Sequence, residues 1–328
     1  MTVPRRPILV APDAFKEMAA AKSVAEAIGR GLGRAGWECD IAPIADGGEG
    51  TASVLAERLG GVEQRAWVHD PLGREIEASF ALLGDGRAVI EVAAASGLDL
   101  LAEAERDGEA ASSVGTGELV GAALEVGARQ VLVAAGGSAT SDGGAGAIAA
   151  IAAAGGLGGA ALKVLCDVRT PFELAAARFA PQKGADEAAV ARLARRLELM
   201  AAGLRRDPRG VPMSGAAGGL YGGLWAAFDA VLVPGAPFVL DALDFDRRLR
   251  ASHAVILGEG RLDATTLDGK ALAEAATRAR QLGVPAHAIV AINALDAFDA
   301  RILDLQTITE AQTIDQLTSA AEQLAAQL

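Results

Sequence analysis

The sequence predicts an α/β protein of two domains, the first of which is built from both ends of the chain. Short apolar segments alternate with helical segments at each end, as in a parallel sheet covered by helices. Between the ends, residues 64–92 alternate polar and apolar side chains across two turns, which is typical of an antiparallel meander. A chain of 328 residues also suggests two domains, at about 150 residues each. We place one domain at residues 1–66 and 252–328, and an inserted α/β domain at residues 67–251.

The first domain is predicted from apolar strands that each lead into a helix. Ser23 and Glu26 have the spacing of a capping box at the start of the first helix. The predicted strands are residues 8–11, 38–43, 254–257 and 288–292, with a shorter one at 305–308. The predicted helices are residues 24–33, 51–59, 269–281 and 315–327.

The inserted domain is predicted to begin with the meander and to continue as strand–helix units. Its predicted strands are residues 64–68, 75–83, 88–92, 130–134 and 162–165. Its predicted helices are residues 113–126, a long alanine-rich helix after Gly146, and residues 185–204. The stretch from Gly143 to Leu162 carries no charge, but it is built of alanine and glycine. We interpret it as a small-residue helix packed on a sheet rather than a membrane span.

Composition excludes several functional classes. The net charge is −12, which argues against a protein that binds nucleic acid or an anionic membrane. Aromatic residues make up 4% of the chain, too few for base-stacking platforms. The two cysteines, Cys39 and Cys166, indicate a reducing compartment rather than a disulfide framework. Since the first apolar run is too short for a signal peptide, we expect a cytoplasmic protein.

Three glycine-rich loops, at residues 46–51, 136–146 and 258–263, lie between a predicted strand and a helix or turn. Such loops present backbone N–H groups to anions, phosphates above all. Each also carries carboxylates, which hold a hard cation such as Mg²⁺ directly or through water. The alternative is that these loops only connect secondary structure, since most glycine-rich loops do so.

Known nucleotide and hydrolase motifs are missing from the sequence. Gly269 and Lys270 are followed by Ala271 without the upstream glycine of a Walker A motif, and no GxGxxG stands at a strand–helix junction. A nucleophile elbow of the form GxSxG is also absent. Four cationic residues lie in or beside glycine and proline loops, where ligands collect in α/β sheets: Lys16, Lys183, Arg261 and Lys270.

Six segments, in order and at matching spacing from about residue 8 to 292, carry a family resemblance. They are 11-APDAFK-16, 43-PIADGGEGT-51, 136-GGSATSDGGAG-146, 181-PQKGA-185, 214-SGAAGG-219 and 258-GEGRLD-263. Together they resemble the bacterial glycerate kinases of the type I class, which lack a Walker motif. The resemblance implies a Rossmann-like domain from both chain ends, an inserted α/β domain and an active site in the cleft between them. It also implies phosphorylation of D-glycerate by ATP with Mg²⁺, usually to 2-phosphoglycerate.

On this basis we assign candidate roles to the loop residues. The catalytic candidates are Lys16, Asp46, Arg261 and Asp263. The candidates for binding substrate or nucleotide are Asp13, Glu49, Gly137, Ser138, Thr140, Asp142, Gly143, Gly144, Lys183, Gly215, Gly218, Glu259 and Lys270. The candidates for metal binding are Asp46, Asp263 and Asp167, with a helix-capping carboxylate as the alternative for Asp167. Which of the carboxylates acts as the base and which binds the metal is left open.

The sequence departs from the family pattern on the substrate side. Ala14 and Glu17 replace the usual serine and glycine of the first motif, Thr170 precedes Pro171 where asparagine is usual, and Thr265 replaces glutamine. Two alternatives to D-glycerate phosphorylation therefore remain: a kinase for another small hydroxy acid, or a non-enzymatic sensor of sugar acids or phosphate. As an enzyme, the chain is expected to act as a monomer or homodimer on a small molecule.

Overall fold

The computed structural model describes residues 5–16 and 18–328 and divides the chain into two compact units. The first unit comprises Met1–Asp46 and Ala236–Leu328, and the second comprises Gly47–Gly235. Glu17, one of the departures from the family pattern, lies outside the described residues.

Strands and helices alternate along most of the described chain. The strands are β1 Ile8–Pro12, β2 Cys39–Ile41, β3 Val62–His69, β4 Glu75–Leu82, β5 Arg87–Glu91, β6 Gln130–Ala134, β7 Ala161–Cys166, β8 Val231–Pro234, β9 Ala254–Gly258, β10 Arg261–Leu262, β11 Ala286–Val290, β12 Ile292–Asn293 and β13 Leu305–Glu310. The α-helices are α1 Ala21–Arg34, α2 Thr51–Leu59, α3 Ala93–Ser96, α4 Val114–Glu125, α5 Ala145–Ala153, α6 Ala175–Phe179, α7 Glu187–Gly203, α8 Leu220–Phe228, α9 Gly235–Ala242, α10 Phe245–Ala251, α11 Ala271–Leu282, α12 Ala297–Ile302 and α13 Ile314–Leu324.

The first unit is built on a parallel sheet of order β13-β11-β9-β1-β2. Ile8 pairs with Ala254, so strands from both ends of the chain lie side by side, and the prediction of one α/β domain from both termini is confirmed. All five residues of β1 and of β9 are buried, as expected for central strands covered on both faces. Helices α1 and α13 pack together beside this sheet.

The second unit is built on a six-stranded sheet of order β3-β4-β5-β6-β7-β8. The pairs β3–β4 and β4–β5 are antiparallel, and the remaining pairs are parallel, so the predicted meander is confirmed as one half of a mixed sheet. Tyr221 of α8 is fully buried, and its hydroxyl lies 2.9 Å from the carbonyl oxygen of Val133 and 3.0 Å from that of Leu165. This single phenol therefore ties the carboxyl ends of β6 and β7 together.

The units divide the chain at 46/47 and 235/236, whereas the inserted domain predicted from sequence spans residues 67–251. The difference concerns residues 47–66, which contain α2 and the start of β3, and residues 236–251, which contain most of α9 and all of α10. Helix α2 packs on β4 and β5, which are strands of the second unit, and α10 packs on α11, which belongs to the first. These contacts are long-range, and the local change from helix to meander does not reveal them.

Two local predictions differ from the structure, and one further segment had no prediction. Ser23 does not cap α1, because the helix begins at Ala21 with Ala20 as its N-cap. The alanine-rich helix α5 is nine residues long rather than extended, and glycines with positive φ, among them Gly155 and Gly156, follow it. Helices α8 to α10 and strand β8 fill residues 220–251, a segment in which no element was predicted.

The uncharged stretch from Gly143 to Leu162 contains α5, a glycine-rich loop and the start of β7. None of the helices in the described residues combines the length and the apolar character that crossing a membrane requires.

Candidate functional site

The first unit brings three carboxyl groups close together at one edge of its sheet. Asp13 follows β1 and Glu259 follows β9, and the two parallel strands end with Pro12 opposite Gly258. The backbone N–H of Asp13 donates to the carbonyl of Gly258 at 2.8 Å. Asp46, in the loop after β2, acts electrostatically on both other carboxyls. We call Asp13, Asp46 and Glu259 the acidic group, which lies at the carboxyl edge where ligands collect in open α/β sheets.

Asp13 is the member of the acidic group whose pKa is raised well above its ordinary range. Burial is the main cause, and the charges of Asp46 and Glu259 add to it. The backbone N–H of Ala14, 2.6 Å from Oδ1 of Asp13, and the charge of Lys16 act in the opposite direction. Because like charges are held close together, this site favours either a proton or a cation.

Glu259 is buried, and its pKa is raised to about 7, chiefly by that burial. The hydroxyl of Thr266 donates to Oε1 at 2.6 Å, and Nζ of Lys270 lies 3.9 Å from Oε2; both lower the pKa. The charges of Asp263 and Asp46 raise it. The balance leaves a carboxyl group that exchanges a proton near neutral pH.

Arg261 and Asp263, two of the predicted catalytic residues, contact each other. Nε of Arg261 lies 3.2 Å from Oδ2 of Asp263. Oδ1 of Asp263 accepts from the backbone N–H of Thr265 at 2.9 Å and from its hydroxyl at 2.6 Å, so Asp263 caps the short 3₁₀ turn that follows. These partners, the Thr265 hydroxyl first, hold the pKa of Asp263 below its ordinary value. Asp263 therefore stays ionised.

Lys16 is exposed and lies directly after Phe15, which is buried in the core of the first unit. The backbone of Phe15 bridges to Ala19 through hydrogen bonds of 2.9 Å in both directions. A Cβ at Gly260 would lie 3.3 Å from the backbone nitrogen of Lys16, so the loops after β1 and β9 approach closely. The buried ring thus fixes the loop that carries Lys16 next to the loop that carries Glu259.

The second unit places Lys183 in a buried position beside the glycine-rich loop 136–146. Its side chain is 2% exposed, and Nζ donates to the carbonyl of Thr140 and, at 3.3 Å, to the hydroxyl of Ser138. Burial lowers the pKa of Lys183 to about 7, against the charge of Asp142, which raises it. Together with Gly137, Asp167 and other loop residues, Lys183 lines a cavity of about 100 Å³.

Asp142, a predicted binding residue, is fully engaged by the protein itself. Oδ2 accepts from the backbone N–H and the hydroxyl of Ser113 at 2.9 and 2.8 Å, and from the N–H of Gly146 at 3.1 Å. Oδ1 accepts from the N–H of Gly144 at 2.9 Å. Asp142 thus joins the start of α4 to the start of α5 and shapes the loop.

Several predicted binding glycines lie where another backbone or side chain comes very close. A Cβ at Gly143 would lie 2.6 Å from Sδ of Met200, one at Gly144 would lie 3.0 Å from the carbonyl oxygen of Leu220, and one at Gly215 would lie 2.4 Å from that of Pro171. These three glycines are required by packing. Gly218 lines the cavity, and a Cβ there would lie 2.0 Å from the carbonyl oxygen of Thr140, the acceptor of Lys183. Gly137 lies close to Glu49 instead, since a Cβ added at Gly137 would lie 2.7 Å from Oε1 of Glu49.

Sequence reasoning missed three polar residues that support these groups. Thr266 bonds to Glu259, Ser113 bonds to Asp142, and Gln182 lines the cavity of Lys183. The signal for Thr266 is present, because Asp263 and Thr266 have capping-box spacing, and both capping bonds form. For Ser113 and Gln182, no local pattern identifies the partner.

Among the described residues, no set of three or more His, Cys, Asp or Glu side chains is arranged to hold a metal ion. Proteins usually bind Mg²⁺ through one or two carboxylates together with substrate phosphates, rather than through a complete protein cage. Burial raises the pKa of Asp13, and the negative charges of Asp46 and Glu259 raise it further, so a cation beside Asp13 and Asp46 would be stabilised. Asp13 and Asp46 therefore fit a Mg²⁺ ion that is shared with a phosphate group. Asp167, the third predicted metal ligand, belongs to the second unit.

A family profile, relatives in sequence and a solved structure all match most of this chain. The profile of the "Glycerate kinase family" matches residues 8–155 and 154–328. The chain is 38% identical to "Glycerate 2-kinase" of Escherichia coli (strain K12), over 80% of this chain and 79% of that protein. It is 38% identical to "Glycerate kinase" of Halalkalibacterium halodurans, over 86% of this chain and 84% of that protein. A crystal structure of a protein provisionally named glycerate kinase 2, from Salmonella typhimurium LT2, superposes with a TM-score of 0.83 at 32% identity, covering 99% of this chain and 98% of that one.

Proposed function

Because the chain belongs to the glycerate kinase family, and is therefore a kinase, we propose that it transfers the γ-phosphoryl group of ATP to D-glycerate. The observation that carries this proposal is the acidic group. In it Glu259, whose pKa is raised to about 7, lies beside the carboxyl groups of Asp13 and Asp46. The name of the Escherichia coli relative supports 2-phosphoglycerate as the product in preference to 3-phosphoglycerate.

We assign Mg²⁺ to Asp13 and Asp46, where it would neutralise the negative charge of the phosphate oxygens. Both residues follow strands of the same parallel sheet, so the sheet fixes their separation. Asp263 is held by Thr265 and Arg261, and its role is to keep the loop after β10 and the guanidinium of Arg261 in place.

Glu259 is the residue we propose as the base. A general base works best when its pKa lies near the working pH, because it is then both available and able to take the proton. Glu259 takes the proton from the attacking hydroxyl of D-glycerate while the hydroxyl oxygen bonds to the γ-phosphorus and the bond to the bridging oxygen breaks, releasing ADP. Thr266 and Lys270 keep enough of the carboxyl ionised for this step.

Cationic side chains at both sheets supply contacts to anions. Lys16 and Lys270 lie at the acidic group, and we propose that Lys16 contacts the transferring phosphoryl group. A charge-assisted contact to such a group strengthens as negative charge develops in the transition state. Lys183 supplies a cation in the second unit.

The test is an assay of ADP release with ATP, Mg²⁺ and D-glycerate, followed by identification of the product. Coupling to enolase without phosphoglycerate mutase detects 2-phosphoglycerate alone, and adding the mutase reveals 3-phosphoglycerate. We expect ADP release that depends on D-glycerate and a signal from enolase without the mutase. No ADP release with D-glycerate would contradict the proposal.

A second candidate function, phosphorylation of another small hydroxy acid, is favoured by Thr265. This residue replaces the usual glutamine and directs its hydroxyl to Asp263. A panel of small hydroxy acids in the same assay separates the two candidates. If an acid is bound without any ADP release, the chain is a sensor instead.

We propose that the reaction takes place in the cytoplasm, in line with the reducing compartment that the cysteines indicate.

A further inference from the structure

Lys183 is a buried cation whose hydrogen-bond partners are both uncharged. Its Nζ donates to a carbonyl, that of Thr140, and to a hydroxyl, that of Ser138. Within residues 5–16 and 18–328, no carboxylate forms an ion pair with it. An ammonium group has three donors, so one remains for another acceptor. A buried ammonium group without a counter-ion is costly, which is why burial lowers the pKa of Lys183 to about 7, and an anionic ligand would stabilise its charged form.

The cavity at Lys183 is small. Its volume of about 100 Å³ corresponds to roughly three water molecules. Pockets for larger organic ligands usually measure about 300–1,000 Å³. The cavity therefore admits a carboxylate with a short carbon chain, or a single phosphate group, but not a whole nucleotide.

Asp167 lines the same cavity as Lys183. A carboxylate in the wall accepts hydrogen bonds from hydroxyl groups and repels a second anion. Inorganic phosphate carries its negative charge on two or three of its four oxygens, and any of these that faced Asp167 would be repelled. A small hydroxy acid instead carries its charge at one end and hydroxyl groups along the rest of the molecule, so it can pair its carboxylate with Lys183 and donate a hydrogen bond to Asp167.

We propose that the Lys183 cavity is the subsite for the acceptor acid. Lys183 and Ser138 bind the carboxylate of a small 2-hydroxy acid, and Asp167 accepts a hydrogen bond from one of its hydroxyl groups. Gly218 maintains the site, since a side chain there would displace the carbonyl of Thr140 that orients Lys183. The inference rests on the proposed function only for the identity of the acid, D-glycerate.

Isothermal titration calorimetry without nucleotide tests the proposal, with D-glycerate, glycerol and inorganic phosphate as separate ligands. We expect the wild-type protein to bind D-glycerate, and neither glycerol, which lacks the carboxylate, nor phosphate. Lys183→Met keeps the length of the side chain but removes its charge, and should weaken D-glycerate binding by about 10- to 100-fold. The matched control is Lys163→Met, the same substitution within β7, which should leave binding unchanged.

Three results would overturn the proposal: no binding of D-glycerate by the wild type, equal binding by Lys183→Met, or binding of phosphate in preference to D-glycerate. Near-ultraviolet circular dichroism checks that Lys183→Met folds. If Lys183→Met does not fold, the Asp167→Asn variant provides the test. We expect Asp167→Asn to bind phosphate and to bind D-glycerate more weakly than the wild type does. An unchanged preference would contradict the inference.

Because no ATP is present, binding that depends on Lys183 supports the subsite even if the ADP-release assay fails. If ADP release succeeds while Lys183→Met raises the KM for ATP alone, the subsite is wrong and the proposed function stands.

Discussion

Thr266 donates its hydroxyl hydrogen to Oε1 of Glu259 across 2.6 Å, and both side chains are buried. This bond stabilises the ionised form of Glu259 and lowers its pKa against the effect of burial. The hydroxyl therefore controls the pH at which the proposed base becomes available.

Thr266→Val removes this donor and keeps the shape of the side chain. A hydrogen bond to a charged group contributes about 1.5–3 kcal/mol, which corresponds to roughly one to two pKa units. Since the base acts when deprotonated, the acidic limb of the kcat profile should move to higher pH by that amount. The control is Thr265→Val, whose hydroxyl bonds to Asp263 instead and should leave the limb in place. An unmoved limb in Thr266→Val would show that Glu259 is not the base.

Glu259→Gln should abolish turnover but stabilise the protein at alkaline pH. The pKa of Glu259 is about 7 in the folded protein, above its ordinary value of 4.5, so the folded protein binds the proton more tightly than the unfolded chain does. The wild-type protein therefore loses stability as the pH rises from about 4.5 to 7, by roughly 3 kcal/mol at most. Urea unfolding should show the variant more stable at pH 8 and nearly equal at pH 4.5. If the unfolding free energies of the wild type and of Glu259→Gln changed in parallel with pH, the raised pKa of Glu259 would be contradicted.

Removal of divalent cations should abolish turnover and leave the fold intact. The acidic group gathers charge at a sheet edge that hydrogen bonds of the backbone hold together without a metal. The measurement is ADP release in excess chelator, with circular dichroism as the control and added Mg²⁺ for recovery. Full activity in the chelator would remove the metal-assisted mechanism.

Lys16→Ala should lower turnover by about 10²-fold, on the order of 3 kcal/mol in the transition state. The net charge of −12 repels anionic substrates, so a cation at the acidic group matters more. Stability should hardly change, because the side chain of Lys16 is exposed and its neighbour Phe15 anchors the loop. Turnover like that of the wild type would make Lys16 a solvated surface residue, and loss of the fold would make its role structural.

The sheet of the first unit could be predicted from sequence because its strands are continuous apolar runs. Residues 8–11 and 254–257 can be identified as strands from their own residues, without knowledge of the strands that pair with them. The loops that follow carry Asp13 and Glu259. The capping assignment of Ser23 failed because a capping box is a local pattern, whereas the first turn of α1 includes Ala21, which is buried on the same face as Val24 and Ala25. Residues 220–240 contain no clear pattern, since their small and apolar residues suit a helix and a strand equally well.

The chemistry of the loop residues could be predicted less well than their position. Asp142 and Asp263 look like ligands in the sequence, but each is engaged by hydroxyl and N–H groups of neighbouring residues. The pKa values of Lys183 and Glu259 depend on burial, which is a property of the folded chain. Sequence patterns identify charged loops, and only the fold shows which charges have partners.

The phenol of Tyr221, which joins β6 to β7, gives the second unit an optical probe of its own. The chain contains one tyrosine, so every phenolate signal in the ultraviolet spectrum comes from this position. Burial raises the pKa of Tyr221 well above its ordinary value of 10.0, with the charges of Cys166 and Asp167 adding to the effect. In an alkaline titration the folded protein should show no phenolate absorbance near pH 10, where an exposed tyrosine ionises. Phenolate absorbance therefore reports the opening of the second unit alone, whereas the three tryptophans are divided between the units, Trp37 in the first and Trp67 and Trp225 in the second.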